Sequence, residues 1–335
     1  MRFSVIICTY NRHEKVMELI NQIINFKQDI IEIILVDSSD KPNPYISGLK
    51  SIVYHRTKHK NQPYQRYLGF SLAKADYLLY LDDDMEVLHK DLFNKLEKYI
   101  TNTKAVGLAL KHTEFHNVTS LSEVPKSQLF DKFESLKKIK NTLTGLPDLK
   151  SGKFGLNGNK GKQPNDIALT EYVSGGSFLV KKDSLYKNFN FQLFDLYEEK
   201  IGKGEDSIIG YSIGKQGPLF SIPEVLFLHN DQQNSSYSSN LENFAMRVMF
   251  SRLYLSLEKS RMDGNNLFFT KLSYHWFAFW RIFGLKLNQF KNPSDKRIMM
   301  LKGSFMGWKK TFIFDFDSQL SRNFYWENEM QNELK

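Results

Sequence analysis

The stretch Tyr77-Leu78-Leu79-Tyr80-Leu81-Asp82-Asp83-Asp84-Met85 restricts the possible folds more than any other part of the chain. Its first half is an apolar, aromatic run of strand length, suited to a sheet covered on both faces. Its second half is three consecutive carboxylates, which cannot follow the run inward because an unpaired buried carboxylate is too costly. The aspartates therefore mark where a buried strand leaves its sheet, with at least one of them held against a cation. In open α/β sheets, ligands bind at that end of the strands. Asp82 and Asp84 form a D-x-D pair of hard oxygen donors, the kind that suits Mg2+ or Mn2+ on a diphosphate. A solvated acidic turn ahead of a helix starting near Lys90 accounts for the same residues.

The surrounding pattern supplies the sheet. Ser4 to Cys8 is apolar and of strand length, and ends at Thr9-Tyr10-Asn11-Arg12, where Asn11 is a suitable N-cap. Val16, Leu19, Ile20, Ile23 and Ile24 then recur at helical spacing. Ile30 to Val36 reads as the next strand, closed by Asp37-Ser38-Ser39-Asp40, and Ile52 to Tyr54 as a third. A helix over 64–75 leads into the aspartate-bearing strand. Alternation of this kind predicts a parallel, doubly wound sheet over residues 1 to about 110. A helix over 91–100 and a strand over 105–110 follow.

Beyond residue 112 the pattern changes. Leu149 to Gln163 is rich in Gly, Lys and Asn, and reads as a surface insertion or lid. Glu171 to Val180 returns to strand chemistry through Gly175-Gly176-Ser177, where glycines allow close backbone approach to a ligand or simply a bulge. Gly204-Glu205-Asp206 opens a helix with Ile208, Ile209 and Ile213 on its apolar side; acids in a first turn also suit the macrodipole without any function. A strand ends at His229. From Leu241 the chain is helical, with Phe244, Val248 and Leu255 expected on the packed stripe. The aromatic run Tyr274 to Phe283 fits either a packing helix or an interfacial one. Residues 241–335 hold 15 Lys/Arg against 9 Asp/Glu. Asp315 to Lys335 reads as a polar tail.

Composition narrows the class. A chain of 335 residues with 41% hydrophobic content can bury a sizeable core, and its single Cys8 allows no internal disulfide, as in a reducing compartment. The first residues read as a strand rather than a secretory leader, and no apolar run is long enough to span a bilayer. A net charge of +9 suits anionic lipid or phosphates. A nucleic-acid partner would explain the charge but neither acidic motif.

Taken in order, Val5 to Arg12, Ile34-Leu35-Val36-Asp37, Leu81-Asp82-Asp83-Asp84 and Gly204-Glu205-Asp206 resemble the family 2 glycosyltransferases of GT-A fold, over about residues 1 to 230. The resemblance implies an α/β fold with a Rossmann-like, mixed but mainly parallel sheet flanked by helices. It divides the chain into a catalytic domain over 1–235 and a helical, aromatic and basic region over 236–335. The catalytic domain comprises a nucleotide-binding half at 1–110, an insertion or lid at 111–170 and an acceptor half at 171–235.

It further implies roles for single residues. Thr9, Tyr10, Asn11 and Arg12 would line the nucleotide, with Asp82 and Asp83 nearby. Asp37 would accept the imide N–H of uracil or thymine, since a carboxylate only accepts. Arg66 would match the arginine of an A-R-N-x-G helix, although Gln65 and Tyr67 replace the usual alanine and asparagine. Asp84, Asp82 and His229 would hold the divalent cation, Mn2+ or Mg2+. Gly175, Gly176 and Ser177 would line the donor sugar, with Glu205 toward the acceptor, and Asp206 would be the general base. The activity implied is inverting transfer from a UDP- or dTDP-sugar to a saccharide, in lipid-linked form, for surface polysaccharide. It would take place in the cytoplasm, with peripheral contact to the anionic inner face of the plasma membrane. Two rival readings are a sugar nucleotidyltransferase, for which the glycine-rich loop after the first strand is missing, and a non-catalytic saccharide-binding relative.

Overall fold

A computed structural model describes residues 1–26, 29–46, 49, 51–114, 149–187, 190–230, 240–316 and 319–334. The apolar runs form the centre of one mixed sheet. Strand β1 (Phe3–Thr9) is buried along its whole length and pairs in parallel with β2 (Ile30–Asp37) on one side and β4 (Tyr77–Asp82) on the other. Strand β3 (Ile52–Arg56) adds in parallel to β2. The register brings functional positions to one level: Thr9 stands opposite Asp37, Cys8 opposite Asp82, and Asp37 opposite Arg56.

The order across the sheet is β3-β2-β1-β4-β8-β6-β9-β5, with β7 (Ala168–Leu169) paired to β9. Strand β8 (Ser177–Lys181) runs antiparallel between β4 and β6 (Gly107–Glu114). Its entry residue Gly176 accepts the Asp82 N–H at 2.9 Å, so the glycine pair sits at the exit of β4. Short β5 (Met85–Val87) pairs with the end of β9 (Leu219–His229), Met85 opposite His229. The sequence expectation of a strand from residue 171 is shortened at its front, since residues 171–176 approach the sheet as irregular chain.

Helices α1 (His13–Ile24) and α3 (Leu92–Thr103) cover one face of the sheet, burying Val16, Leu19, Ile20 and Ile23 from the first and Leu92, Phe93, Leu96 and Ile100 from the second. Helix α2 (Gln62–Leu72) lies on the other face and comes so close to β1 that a Cβ on Gly69 would stand 2.4 Å from Ile6. Its N-cap is Asn61, whose side chain accepts the Tyr64 N–H. The N-cap of α1 is Arg12 rather than Asn11. Asn11 instead takes φ of 53°, a left-handed turn that asparagine tolerates. Helices α4 (Gln192–Glu198) and α5 (Glu205–Gly214) complete this face.

The C-terminal part packs through a third apolar cluster. Helix α6 (Leu241–Asp263) buries Met249, Phe250, Leu253, Tyr254 and Leu257, not the stripe through Phe244 and Val248, which are only half-buried. Helices α7 (Leu267–Lys291) and α8 (Asp295–Lys310) pack on it. The described residues of the tail expected over 315–335 are mainly helical and packed. Helix α9 (Gln319–Glu333) returns to α2 and α4 and inserts Trp326, only 2% exposed, against His59, Tyr64 and Phe194. Among the described residues no helix is long and apolar enough to cross a membrane.

Candidate active site

At the ends of β1, β2 and β4 side-chain donors meet the carboxylates and form the site. Asp83 is buried, and accepts from the Thr9 hydroxyl at 2.7 Å and from Arg12 Nη1 at 2.9 Å. The same Arg12 nitrogen donates to Asp84 Oδ2 at 2.7 Å. Asp82, at the last position of β4, accepts at Oδ1 from Arg66 Nη2 and from Gln62 Nε2, each at 2.9 Å. The three carboxylates thus end up in different electrostatic states. Burial raises Asp82, and although Arg66 opposes this, its carboxyl sits at about 6 with the help of the neighbouring acids. Burial also works on Asp84, but His229 and Arg12 outweigh it and hold that carboxyl at about 2.

Arg66 links the two acidic motifs. It is 2% exposed, donates through Nη1 to Glu205 Oε1 at 2.9 Å, and through Nη2 to both Asp82 and the Gly175 carbonyl, the latter at 2.6 Å. Burial opposes its charge, and Asp82 and Glu205 more than offset that. The departures at its neighbours are explained by packing. Gln65 is buried and donates to the carbonyls of Thr9 and Val36, each at 3.0 Å, tying the ends of β1 and β2 together. Tyr67 packs its ring among Tyr186, Phe191 and Phe194.

Gly204, with φ of 83°, turns the chain so that Glu205 and Asp206 begin α5 at this cleft. Glu205 also accepts a hydrogen bond from the Tyr197 hydroxyl. Asp206 is met by Lys160 Nζ at 3.1 Å, delivered by a turn of the 149–163 segment. Burial raises Asp206, yet Lys160, aided by Arg66 and Lys203, brings its carboxyl below the usual range. That segment is more than a solvated loop. Phe154 is buried against Tyr211, and Tyr172 OH donates to the Gly161 carbonyl at 2.6 Å. The remaining insertion expected over 111–170 lies outside the described residues from 115 to 148.

Several expected residues sit differently from the expectation. Asp37 is fully buried; Oδ1 accepts the Ser39 N–H at 2.8 Å and Oδ2 the Tyr54 hydroxyl at 2.7 Å, so in this structure it shapes the turn at 38–40. Ser177 is fully buried within β8, which leaves Gly175 and Gly176 as the members of that trio at the β4 exit. Asn11 binds Asp40 through both ends of its amide, and exposed Tyr10 accepts from Lys60 Nζ at 3.1 Å. A cleft of about 380 Å³ opens beside them, lined by Ser38, Ser39, Asp40, Arg56, Lys58 and Lys60. No motif marks these residues, since scattered lysines and serines after a strand carry no spacing signal.

Asp84, His229 and His112 form the other wall. Asp84 Oδ1 makes no aligned hydrogen bond among the described residues and lies 3.2 Å from His229 Nε2. His112, whose ring centre is 5.4 Å from that of His229, is pushed down to about 4 by burial and by His229, and stays neutral. A carboxylate oxygen facing an imidazole nitrogen, with a second neutral imidazole alongside, fits a divalent cation. Asp82 does not join them in a closed set of three donors, because Arg66 and Gln62 hold its Oδ1.

Residues 4–153 match the model for glycosyl transferase family 2. No curated protein matches the sequence. Among solved structures, residues 1–349 of S. aureus TarS superpose with a TM-score of 0.51 at 15% identity, covering 92% of this chain and 81% of that one. The same TarS fragment in complex with UDP-GlcNAc gives a TM-score of 0.50 at 14% identity, over 90% and 79% of the two chains. The fold is therefore of the GT-A type. The chain is a glycosyltransferase whose residues 4–153 are similar to family 2. That match favours the glycosyltransferase over the nucleotidyltransferase reading.

Proposed function

We propose that this glycosyltransferase moves a sugar from a UDP- or dTDP-linked donor to a saccharide hydroxyl, with inversion at the anomeric carbon. Its acceptor would be lipid-linked and its product a surface polysaccharide. The observation that carries the reading is Arg66, which joins Asp82 on the strand side to Glu205 beside Asp206 on the helix side. One buried cation thereby fixes the two acidic motifs across a single cleft. Asp206 serves as general base: ionised through Lys160, it takes the proton of the acceptor hydroxyl as that oxygen bonds to the anomeric carbon. The bond to the diphosphate oxygen breaks on the opposite face, and its electron pair stays on the leaving diphosphate.

Arg12 and Arg66 supply positive charge where the diphosphate departs. Asp84 and His229 are the residues that would hold a divalent cation, which when bound would neutralise the leaving group. The basic cleft along Arg56, Lys58 and Lys60, beside Tyr10, is the place for base and ribose. The division into a catalytic domain over 1–235 and a helical region over 236–335 belongs to this proposal.

Membrane attachment rests on α7. Phe269, Leu272, Trp276, Phe279 and Phe283 follow each other at steps of three and four residues and are 44–65% exposed, and Phe290 is 88% exposed. Lys271, Lys286 and Lys291 share that helix, and aromatics beside lysines suit the headgroup boundary of an anionic leaflet. We place the enzyme in the cytoplasm, peripheral on the inner face of the plasma membrane.

Thermal unfolding against nucleoside diphosphates, with and without Mn2+, tests the donor half. A ligand at about 100 times its dissociation constant stabilises a fold by about 2.7 kcal/mol. A melting shift with UDP or dTDP that grows with Mn2+ and is lost in Asp84→Ala is expected; no shift with any nucleotide would overturn the reading.

A further inference from the structure

Beside the basic cleft that Lys58 and Lys60 line, one group of three metal-type donors among the described residues converges within 4.8 Å: His59, Glu329 and Glu333. His59 belongs to the loop between β3 and α2, and the two glutamates come from successive turns of α9. Four residues apart on a helix, Glu329 and Glu333 share one face. His59 Nε2 lies 3.3 Å from Glu329 Oε1 and 4.0 Å from Glu333 Oε1. Donors about 2.0–2.1 Å from a tetrahedral ion stand roughly 3.3 Å apart, so a small inward movement of Glu333 would complete the geometry.

The protonation pattern points the same way. His59 is 8% exposed, and its Nδ1 is 2.8 Å from Glu198 Oε1. A carboxylate only accepts, so the proton is on Nδ1. Nε2 faces the two glutamates, so that position calls for positive charge, either a proton on Nε2 or a cation in its place. A histidine whose outer nitrogen is held by a carboxylate is also the usual second-shell arrangement around a metal-bound imidazole. In addition, His55 Nε2 and Glu333 Oε2 are buried, have no hydrogen-bond partner among the described residues, and face each other at 3.8 Å. That separation is too long for a hydrogen bond.

We propose that His59, Glu329 and Glu333 bind a zinc-type divalent cation that clamps α9 onto the catalytic half. Lys58, which now pairs with Glu329, is 68% exposed and free to swing into solvent when the ion enters. Glu198 is a positioning residue, setting the His59 tautomer. The ion is structural. It lies where β3 hands over to α2, the helix that carries Arg66, and so steadies that helix from beside the basic cleft.

The test uses the full-length chain carrying Asp84→Ala, so that the carboxylate–imidazole pair in the cleft cannot account for binding. Equilibrium dialysis against Zn2+ should give one ion per chain, and Co2+ should give the intense visible absorption of a four-coordinate site. Glu329→Gln should weaken binding at least 100-fold and abolish the Co2+ band, and Glu198→Gln should weaken it by about 10–100-fold. Unchanged circular dichroism in both variants would show that folding is intact. Absence of binding would overturn the proposal and leave His59 as an imidazolium between glutamates. Binding that ignores both substitutions would overturn it as well, by placing the ion elsewhere. Neither outcome depends on the donor or the reaction.

Discussion

Lys160 Nζ lies 3.1 Å from Asp206 Oδ2, although 46 residues separate them in the chain. The ammonium comes from a segment with no apolar periodicity, and meets a carboxylate at the first turn of α5. Because Lys160 lowers the Asp206 pKa, Lys160→Met should let it rise toward its ordinary value. A base works only when deprotonated, so the acidic limb of the kcat/KM profile should move to higher pH. Rates above that limb should change little. A limb that stays in place would mean that Lys160 only latches the loop.

Removing the base itself should separate binding from chemistry. Asp206→Asn keeps the shape of the side chain but not its capacity to take a proton, and turnover should fall by about 10²–10⁴-fold. The UDP-induced melting shift should persist, since Asp206 stands on the helix side of Arg66. Loss of both together would show that Asp206 holds the donor.

Helix α5 keeps Asp206 in place through a close backbone contact. A Cβ on Gly210 would stand 2.5 Å from the Val173 nitrogen and 2.8 Å from Tyr172 Cα. These are backbone atoms that cannot rotate away. Gly210→Ala should therefore destabilise the fold by about 1–3 kcal/mol, seen as a lower urea midpoint, and reduce kcat by displacing the helix start. A midpoint equal to that of the parent would show that the 172–173 segment yields freely.

The parts of this architecture that were legible in the sequence are those where burial and charge collide within a few residues. Tyr77 to Asp84 read as a buried strand ending in a site or an acidic turn, and Val5 to Arg12 as a second strand ending in polar residues. The parts that escaped depend on contacts between distant segments. Gln65 looked like a lapse from the A-R-N-x-G pattern, yet its amide joins β1 to β2. Arg12 was expected at a nucleotide, and its bridging of Asp83 and Asp84 needed the register of β1 against β4. Trp326 was hidden because Phe324, Tyr325 and Trp326 are consecutive and give no helical period, even though the burial of Trp326 decides where α9 lies.

That residue carries its own prediction. Trp326 contacts the rings of His59, Tyr64 and Phe194, and its indole N–H donates to Asp195 Oδ1 at 3.0 Å. Trp326→Ala should cost about 3–5 kcal/mol, from lost burial and the cavity left behind. The measurement is the shift of the denaturant midpoint at constant m. A loss below about 1 kcal/mol would show that α9 is only loosely docked, and that α2 and α4 close without it.

The exposed stripe of α7 gives the last prediction. Leu272, Trp276, Phe279 and Phe283 occupy one side of the helix, while Tyr274, Phe277 and Ala278 point inward to α6 and are fully buried. The helix is thus apolar on two sides, and only the inner one is packed against α6. Apolar surface of this extent facing water is unfavourable unless something covers it. Lysines along the same helix favour an anionic layer over a neutral one. Trp276→Ser with Phe279→Ser should abolish sedimentation with vesicles of anionic phospholipid, leave the melting temperature within a degree or two, and leave transfer to a soluble saccharide acceptor intact. Transfer to an acceptor embedded in those vesicles should fall. If the double variant unfolds instead, the outer stripe is part of the core of a larger assembly. If it sediments as before, the bilayer is met elsewhere on the molecule.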